Sequence, residues 1–226
     1  MERRRLLGGI DYLEWIKSLT CQFYAPLDNG NGLTDLISGQ VGVQQNNNTA
    51  VWDNAEQAYL MTKDASTSPY GQSIVRWSGL DMQYNISDIG FTILYEIKVV
   101  KWGNNSNGVS TDGFIVPLVL GGRTLAVNAA NMGIQLNQWA KIALVYPQYN
   151  GVPRYSRQYK NGVEMTNYYR GTTVYSGNAN TNIMMDTGRC FDTYSLGYTD
   201  CQYYLRNAYA FTAALDIDTI KQIQHI

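Results

Sequence analysis

The chain has 226 residues, of which 45% are hydrophobic and only 15% are charged. This length suits one all-β domain, and the apolar content is enough for a packed core beneath a surface of neutral polar groups. Lys and Arg number 17 against 18 Asp and Glu, so the net charge of -1 provides no field for a polyanion, and nucleic acid is excluded as an expected partner. No apolar run is long enough to cross a bilayer, and no membrane insertion is expected.

The composition favours strands joined by tight turns. The 18 Tyr residues suit pleated surfaces, and the 21 Gly residues, together with many Asn, suit turns with positive φ. Tyr rings and neutral amides also suit contact with sugars, although the same composition covers many β-sandwiches that bind nothing. The three cysteines, Cys21, Cys190 and Cys201, have neither an even count nor a C-x-x-C spacing, so buried thiols are predicted.

Residues 1–19 differ from the rest of the chain. An arginine cluster precedes an apolar stretch that Gly8-Gly9 and Asp11 interrupt, which is too short for a secretion signal. We therefore expect this segment to be retained and the product to be made and assembled in a cytoplasm. The helical spacing of four apolar residues predicts a short amphipathic helix: Ile10, Leu13, Ile16 and Leu19.

From Thr20 onward, short alternating runs bounded by Gly and Asn predict about a dozen strands without long helices between them. Gly121-Gly122 and Asn161-Gly162 predict tight hairpins, and Asp216 is the expected N-cap of a C-terminal helix. The clearest predicted strands lie at 21–27, 91–101, 113–120, 123–128, 139–146, 155–165 on both sides of its turn, 192–198 and 203–211. Phe91 and Leu144 lie on the faces expected in the core.

Several segments, taken in order, resemble a laminin-G-like, concanavalin A-like jelly roll: Phe23–Asp28, Leu33–Gly39, Phe91-Thr92-Ile93, Trp139–Tyr146, Tyr159–Glu164 and Arg206–Ile220. The resemblance implies an all-β, two-sheet antiparallel jelly-roll sandwich over residues 20–226, with residues 1–19 as an N-terminal arm and a short C-terminal helix. The N-terminal stretch, with its arginines and Tyr-Leu-Glu-Trp-Ile segment, is also similar to phage and prophage proteins of gut bacteria. Such a fold by itself does not define a function.

Catalytic chemistry finds little support in the sequence. The carboxylate pattern of glycosidases on this sandwich, Glu-x-Asp-x-x-Glu, is absent, and Asp216-x-Asp218 is better interpreted as a helix cap. The single histidine, His225, has no partner motif for a triad or a metal site. We expect a non-enzyme without a cofactor or bound metal. Calcium is left open, because four aspartates lie in predicted loops: Asp28, Asp35, Asp112 and Asp200.

If the domain binds a glycan, aromatic and amide side chains on loops are the expected contacts. The first candidate loop contains Trp102, Asn104, Asn105 and Asn107, and the second contains Tyr149, Arg154 and Tyr155. A ring of Trp102 folded over its own loop would explain that residue as well as a ligand would. Three other tryptophans are assigned to packing: Trp52, Trp77 and Trp139.

The arm suggests a structural role. Consecutive arginines can bind carboxylates or carbonyls of a partner, while an apolar helix stripe can pack on a partner or, equally well, on its own sandwich. The expected partner-binding residues are Arg3, Arg4, Arg5, Leu6, Leu7, Leu13, Trp15 and Ile16.

The sequence-based hypothesis is a non-enzymatic phage virion protein, either a head fibre or a tail-associated knob. Its expected partners are other virion proteins and further copies of itself, with possible affinity for host or mucosal glycans. It would be assembled in the bacterial cytoplasm. The alternatives are a stand-alone carbohydrate-binding module at the bacterial surface and, third, a glycoside hydrolase.

Overall fold

The structure, a computed structural model, describes residues 11–45, 50–64, 71–72, 74–78, 90–101, 114–115, 118–120, 123–124, 127–128, 132–147, 157–165, 183–186 and 201–225. Within these ranges the chain forms sixteen strands and two short helices. Neither helix is long and apolar enough to span a membrane.

The helices lie near the two ends of the chain, as α1 (Tyr12–Ser18) and α2 (Ile217–Gln224). The strands are, in chain order, β1 (Cys21–Ala25), β2 (Val43–Gln45), β3 (Val51–Asp53), β4 (Ala58–Asp64), β5 (Gly71–Gln72), β6 (Ile74–Trp77), β7 (Phe91–Lys101), β8 (Phe114–Ile115), β9 (Leu118–Leu120), β10 (Arg123–Thr124), β11 (Val127–Asn128), β12 (Trp139–Tyr146), β13 (Arg157–Lys160), β14 (Val163–Glu164), β15 (Ile183–Asp186) and β16 (Cys201–Phe211).

The larger sheet has the order β14-β13-β12-β7-β16-β4-β3, and all of its described pairs are antiparallel. Two strands, β5 and β1, lie off this path. β5 extends the edge of β4, whereas β1 pairs with the second half of β16 after β4 has paired with its first half. The two longest strands, β7 and β16, are therefore neighbours at the centre of the sheet.

The smaller sheet has the order β10-β9-β15-β6-β2, and β8 pairs separately with β11. Its β6 strand packs against the larger sheet, where the Phe23 and Trp77 rings meet edge to face at 5.1 Å. Gly42 allows this close packing, since a Cβ there would lie 2.6 Å from atoms of both Trp77 and Val75. The predicted all-β, two-sheet antiparallel sandwich with a short helix near each end is thus confirmed.

Two predicted hairpins are also confirmed. Asn161 and Gly162 have φ of 49° and 74°, the left-handed values that a type I′ turn requires, between β13 and β14. Leu120 of β9 pairs with Arg123 of β10, as expected for a two-residue connection. The predicted strand at 192–198 lies outside the described residues.

The inner face of the larger sheet follows the predicted alternation. Phe91 and Leu144 are 4% and 1% exposed, and they join one core cluster between the sheets. The alternation alone would leave the other face of these strands in water. Instead, Thr92 and Leu94 are also fully buried, because a second cluster covers that face.

This second cluster is formed by the two helices and defines the helix-covered half of the outer face. Its buried members are Tyr12, Ile16, Cys21, Leu94, Ala143, Val145, Tyr159, Tyr209, Phe211, Leu215, Ile220 and Ile223. The Thr92 hydroxyl donates to the carbonyl of Ala213 at 2.7 Å and accepts from the amide of Leu215 at 2.9 Å. These two bonds satisfy backbone groups of the segment that leads into α2. A polar side chain is thus accommodated beneath the helices without an unpaired hydrogen-bonding group.

Helix α1 is therefore part of the packed domain. Ile16 is 0% exposed, and Leu13 and Trp15 pack against the same cluster. Of the two arrangements open to the apolar stripe, the structure shows self-packing, so Ile16 is a core residue and not a contact on a free arm. The other predicted arm contacts, Arg3–Leu7, lie outside the described residues, as does Ile10.

Helix α2 begins at the N-cap that the sequence predicts. The Asp216 side chain accepts from the amide of Thr219 at 2.8 Å and caps the first turn. At the other end, Lys141 of β12 donates its ammonium hydrogens to the carbonyls of Gln224 and His225. This places a cation at the negative end of the helix dipole and ties the helix to the sheet.

Candidate functional site

A β-bulge at Asn207 divides the outer face of the larger sheet. Arg206 pairs with Glu96 and Tyr209 pairs with Leu94, so β16 has one residue more than β7 between these two pairs. Asn207 has a positive φ of 50°. The extra residue directs Tyr209 beneath the helices and leaves Arg206 on the same face beyond them.

Beyond the bulge lies a polar and aromatic surface that we call the open patch, formed by Glu96, Lys98, Trp139, Tyr204 and Arg206. Three neighbouring strands contribute to it, because Trp139 of β12 is opposite Lys98 of β7, which is opposite Tyr204 of β16. None of these residues belongs to the cluster that the two helices cover.

Trp139 and Arg206 form the centre of the open patch. The guanidinium carbon of Arg206 lies 4.0 Å from the centroid of the Trp139 ring, in cation–π geometry. Arg206 Nε donates to Glu96 Oε2 at 2.7 Å, and Asn207 Nδ2 donates to Glu96 Oε1 at 2.9 Å. The guanidinium is therefore held both by the ring and by a carboxylate that the bulge residue itself orients.

A second group of polar contacts lies on the β3–β4 side of the open patch. Lys98 Nζ donates to Glu56 Oε1 at 2.6 Å, and the ammonium lies 6.0 Å from the centroid of the Tyr204 ring. The Tyr204 hydroxyl donates to Asp53 Oδ2 at 2.7 Å. Side-chain exposures of 16% for Lys98 and 26% for Glu56 show that this pair is partly shielded from solvent.

These contacts shift two acidities in opposite directions. Burial, reinforced by the hydrogen bond to Asp53, raises the pKa of Tyr204 to about 12. The same hydrogen bond, followed by the amides of Glu56 and Ala55, lowers the pKa of Asp53 below its ordinary value. At neutral pH the pair is a neutral phenol donating to a carboxylate.

The arrangement is suited to recognition. Glu96, Glu56 and Asp53 each accept hydrogen bonds from neighbouring side chains. A tryptophan ring, a tyrosine and an arginine on adjacent strands provide flat apolar area beside directed hydrogen-bond donors.

The sequence analysis placed candidate glycan contacts elsewhere. All of these candidates lie outside the described residues: Trp102, Asn104, Asn105, Asn107, Tyr149, Arg154 and Tyr155. The open patch was not predicted, although β7 contributes Glu96 and Lys98 to it and ends at Lys101, immediately before the first candidate loop.

Of the tryptophans assigned to packing, Trp77 is a core residue, with 0% exposure and a hydrogen bond from its indole nitrogen to the carbonyl of Leu33. Trp52 is half-buried against Tyr59 at 5.4 Å. The assignment of Trp139 to the core is wrong, because its half-buried ring lies on the outer face. Alternation along the strand carries this signal, since an odd-numbered residue of β12 lies on the other face of the sheet from Leu144.

Two of the four loop aspartates that were left open as calcium ligands, Asp28 and Asp35, accept hydrogen bonds from their own loops or from β1. Asp35 is fully buried and accepts from the amides of Tyr24, Ile37 and Ser38 and from the Ser38 hydroxyl. Asp28 accepts from the amide and side chain of Asn31. Among the described residues no group of His, Cys, Asp and Glu is arranged to hold a metal ion. Asp112 and Asp200 lie outside them.

Comparisons with known proteins give a fold and no family. No protein-family model matches the chain, and no curated protein matches it. Among solved structures, the binding domain of botulinum neurotoxin DC in complex with rat synaptotagmin II has a TM-score of 0.58 at 12% identity, over 91% of this chain and 51% of that one. The binding domain of serotype G has a TM-score of 0.59 at 11% identity, over 90% and 50%.

A third match is a botulinum neurotoxin type C structure, described as dependent on two ganglioside molecules for cell entry. Its TM-score is 0.59 at 13% identity, over 94% of this chain and 52% of that one. The chain thus spans about half the length of each of these neighbours. At such low identity the likeness shows a shared β-sandwich fold.

Proposed function

We propose that this chain is a non-enzymatic, glycan-binding β-sandwich carried on a bacteriophage particle, and that the open patch contacts the glycan. The observation that carries the proposal is the Trp139–Arg206–Glu96 arrangement. An aromatic ring and an oriented guanidinium lie together outside the half of the sheet that the helices cover.

The fold comparison supports a binding role over catalysis. The neighbouring structures are binding domains, one of them in a protein whose cell entry depends on gangliosides, which are sugar-bearing lipids. The chemistry of the open patch agrees with a sugar ligand, because an aromatic side chain can pack on the apolar face of a pyranose while directed donors bind its hydroxyls.

The binding role is tested by a glycan array with the wild type and Trp139→Ala. The matched control is Trp52→Ala, which removes another half-buried strand tryptophan from the edge strand β3. Signals for bound glycans should fall about tenfold for Trp139→Ala and stay near wild type for Trp52→Ala. Equal signals for Trp139→Ala and wild type would contradict the open patch, and no bound glycan for the wild type would contradict the glycan function.

The sequence-based prediction for the Trp102 loop is tested on the same array. A loss of signal for Trp102→Ala with an unchanged signal for Trp139→Ala would move the contact from the open patch to that loop. Losses for both variants would place the ligand across both. All variants should first show wild-type urea unfolding midpoints, which separates loss of contact from loss of fold.

The place on a particle is supported by the N-terminal arginines and the sequence resemblance to phage proteins. Because α1 is packed in the core, a deletion of residues 1–19 would damage the domain itself. Deletion of 1–10 preserves Asp11, whose side chain caps α1 by accepting from the amide of Leu13 at 2.8 Å. We expect this shorter variant to fold and to be lost from purified particles. Incorporation at wild-type occupancy would show that the arginines are not the anchor.

A further inference from the structure

The Arg206 side chain has N–H donors that remain without a described acceptor. A guanidinium carries N–H groups on Nε and on both Nη atoms. Glu96 takes the Nε donor, and no described residue accepts from either Nη atom. The Arg206 side chain is 27% exposed.

The guanidinium is also held in place before any ligand arrives. Trp139 lies beneath it at 4.0 Å, and Glu96 fixes its Nε edge while Asn207 fixes Glu96. A long arginine side chain normally loses much rotational freedom on binding, and here the packing and ion pair already remove it. The Nη edge is thus a preorganised fork of paired donors.

The charges facing Arg206 show what is missing. On the acidic side, both oxygens of Glu96 are occupied, Glu56 is paired with Lys98, and Asp53 accepts from Tyr204 and two backbone amides. On the basic side, Lys141 is directed to the end of α2. The carboxylates are therefore supplied with donors, whereas the Nη fork has no acceptor among the described residues.

We propose that the Nη fork of Arg206 binds the carboxylate of an acidic sugar residue, with Trp139 and Tyr204 beside the ring that carries it. This inference rests on the proposed glycan function and narrows it to carboxylated oligosaccharides. A carboxylate matches the parallel N–H donors of a guanidinium edge, whereas a single hydroxyl engages only one of them. Because Glu96 already balances the charge of Arg206, the two-pronged geometry of the fork, and not net charge, is what selects a carboxylate.

The test compares three oligosaccharides of the same length on one array. Two are an oligogalacturonate as the free acid and its methyl ester, and the third carries sulfate groups and no carboxylate. The protein variants are wild type, Arg206→Lys, and Arg157→Lys as control. Arg157 is an exposed arginine on β13, so its variant makes the same chemical change away from the open patch. Wild type should bind the free acid about tenfold to a hundredfold more tightly than the ester.

Arg206→Lys retains the charge and loses the fork, so its preference for the free acid should disappear while Arg157→Lys stays at wild type. Equal wild-type binding of acid and ester would overturn the inference without involving any variant, and so would a preserved preference in Arg206→Lys. A sulfated oligosaccharide bound as tightly as the free acid would overturn the carboxylate assignment. Glycans bound without regard to acid groups would leave the proposed function intact, whereas no binding of any glycan would overturn both.

Discussion

The two halves of one sheet face are built differently although the same strands run through both. On the helix side of the bulge, β7 and β16 present Leu94 and Tyr209, which the two helices bury. On the other side, the same strands present Glu96 and Arg206, which remain 12% and 27% exposed. A single strand thus contributes to a core in one half and to a surface in the other.

The difference teaches how a sandwich can keep part of a sheet available to a ligand. In the covered half, the Tyr12 and Tyr209 hydroxyls hydrogen-bond to each other at 3.0 Å, and the Tyr24 and Tyr209 rings stack at 4.3 Å. In the open half, the side chains of Glu96, Trp139 and Arg206 orient one another. The first arrangement contributes to the core, and the second is the one to which we assign the proposed binding role.

The most severe way to break the covered half is Ile16→Ala. This side chain is fully buried beneath the sheet, so its truncation leaves a cavity, and the free energy of unfolding should fall by about 2–5 kcal/mol. Urea unfolding measures the change. Lys17→Ala on the exposed side of the same helix is the control and should stay within about 0.5 kcal/mol. Equal, small effects for both would mean that α1 does not contribute to the core.

Alkaline pH should weaken the covered half next. Burial raises the pKa values of Tyr12 and Tyr209 above the ordinary value for tyrosine. Above about pH 10 the unfolded chain loses phenolic protons that the folded chain keeps, so stability falls by about 1.4 kcal/mol per pH unit for each residue. Below pH 10 the contribution is complete. Tyr209→Phe should give a shallower fall in the free energy of unfolding with pH, and an unchanged slope would contradict the assignment.

Glu96→Gln tests whether the open half also contributes to stability. The variant weakens the contact with Arg206 and should lower the free energy of unfolding by about 1–3 kcal/mol, because the ion pair is largely shielded. The comparison is Glu14→Gln, whose ion pair with Lys17 on α1 has a glutamate that is 68% exposed. That change should cost less than about 0.5 kcal/mol. A smaller effect at Glu96 than at Glu14 would show that the open patch is not held as described.

The smallest effect is expected for Tyr204→Phe at the edge of the open patch. Removing the hydroxyl takes away the main cause of the low pKa of Asp53. The pKa of Asp53 should therefore rise toward its ordinary value of about 4. A lowered carboxyl pKa stabilises the fold above the unfolded value and loses this effect as pH falls through the folded one. Tyr204→Phe should therefore lose less stability on acidification than the wild type, because it lacks the contribution that wild-type Asp53 loses in that range. Carboxyl carbon NMR measures the shift directly, and an unchanged Asp53 pKa would contradict the contact.

Much of the covered half could be predicted, and most of the open half could not. The helical spacing indicated α1, and Asp216 indicated α2, but neither signal states which surface the helices cover. For the open half, alternation along β12 was sufficient to predict that Trp139 is not on the core face, since it lies on the other face of the strand from Leu144. The contact of its ring with Arg206 depends on strands far apart in the sequence and has no local signal.

Local sequence determined the strands, their inner faces and the caps and turns, because alternation, left-handed Asn-Gly pairs and short polar side chains act over a few residues. The apolar parity of β16 even changes at Asn207, from Tyr203 and Leu205 to Ala208 and Ala210, which is the trace of the bulge. Tertiary structure alone decided that both helices cover the same half of one sheet. That outcome depends on the order of β12, β7 and β16 in the sheet, which is set by contacts between residues far apart in the sequence. The hydrophobic effect is not directional, so it stabilises burial against whichever apolar surface this order brings near.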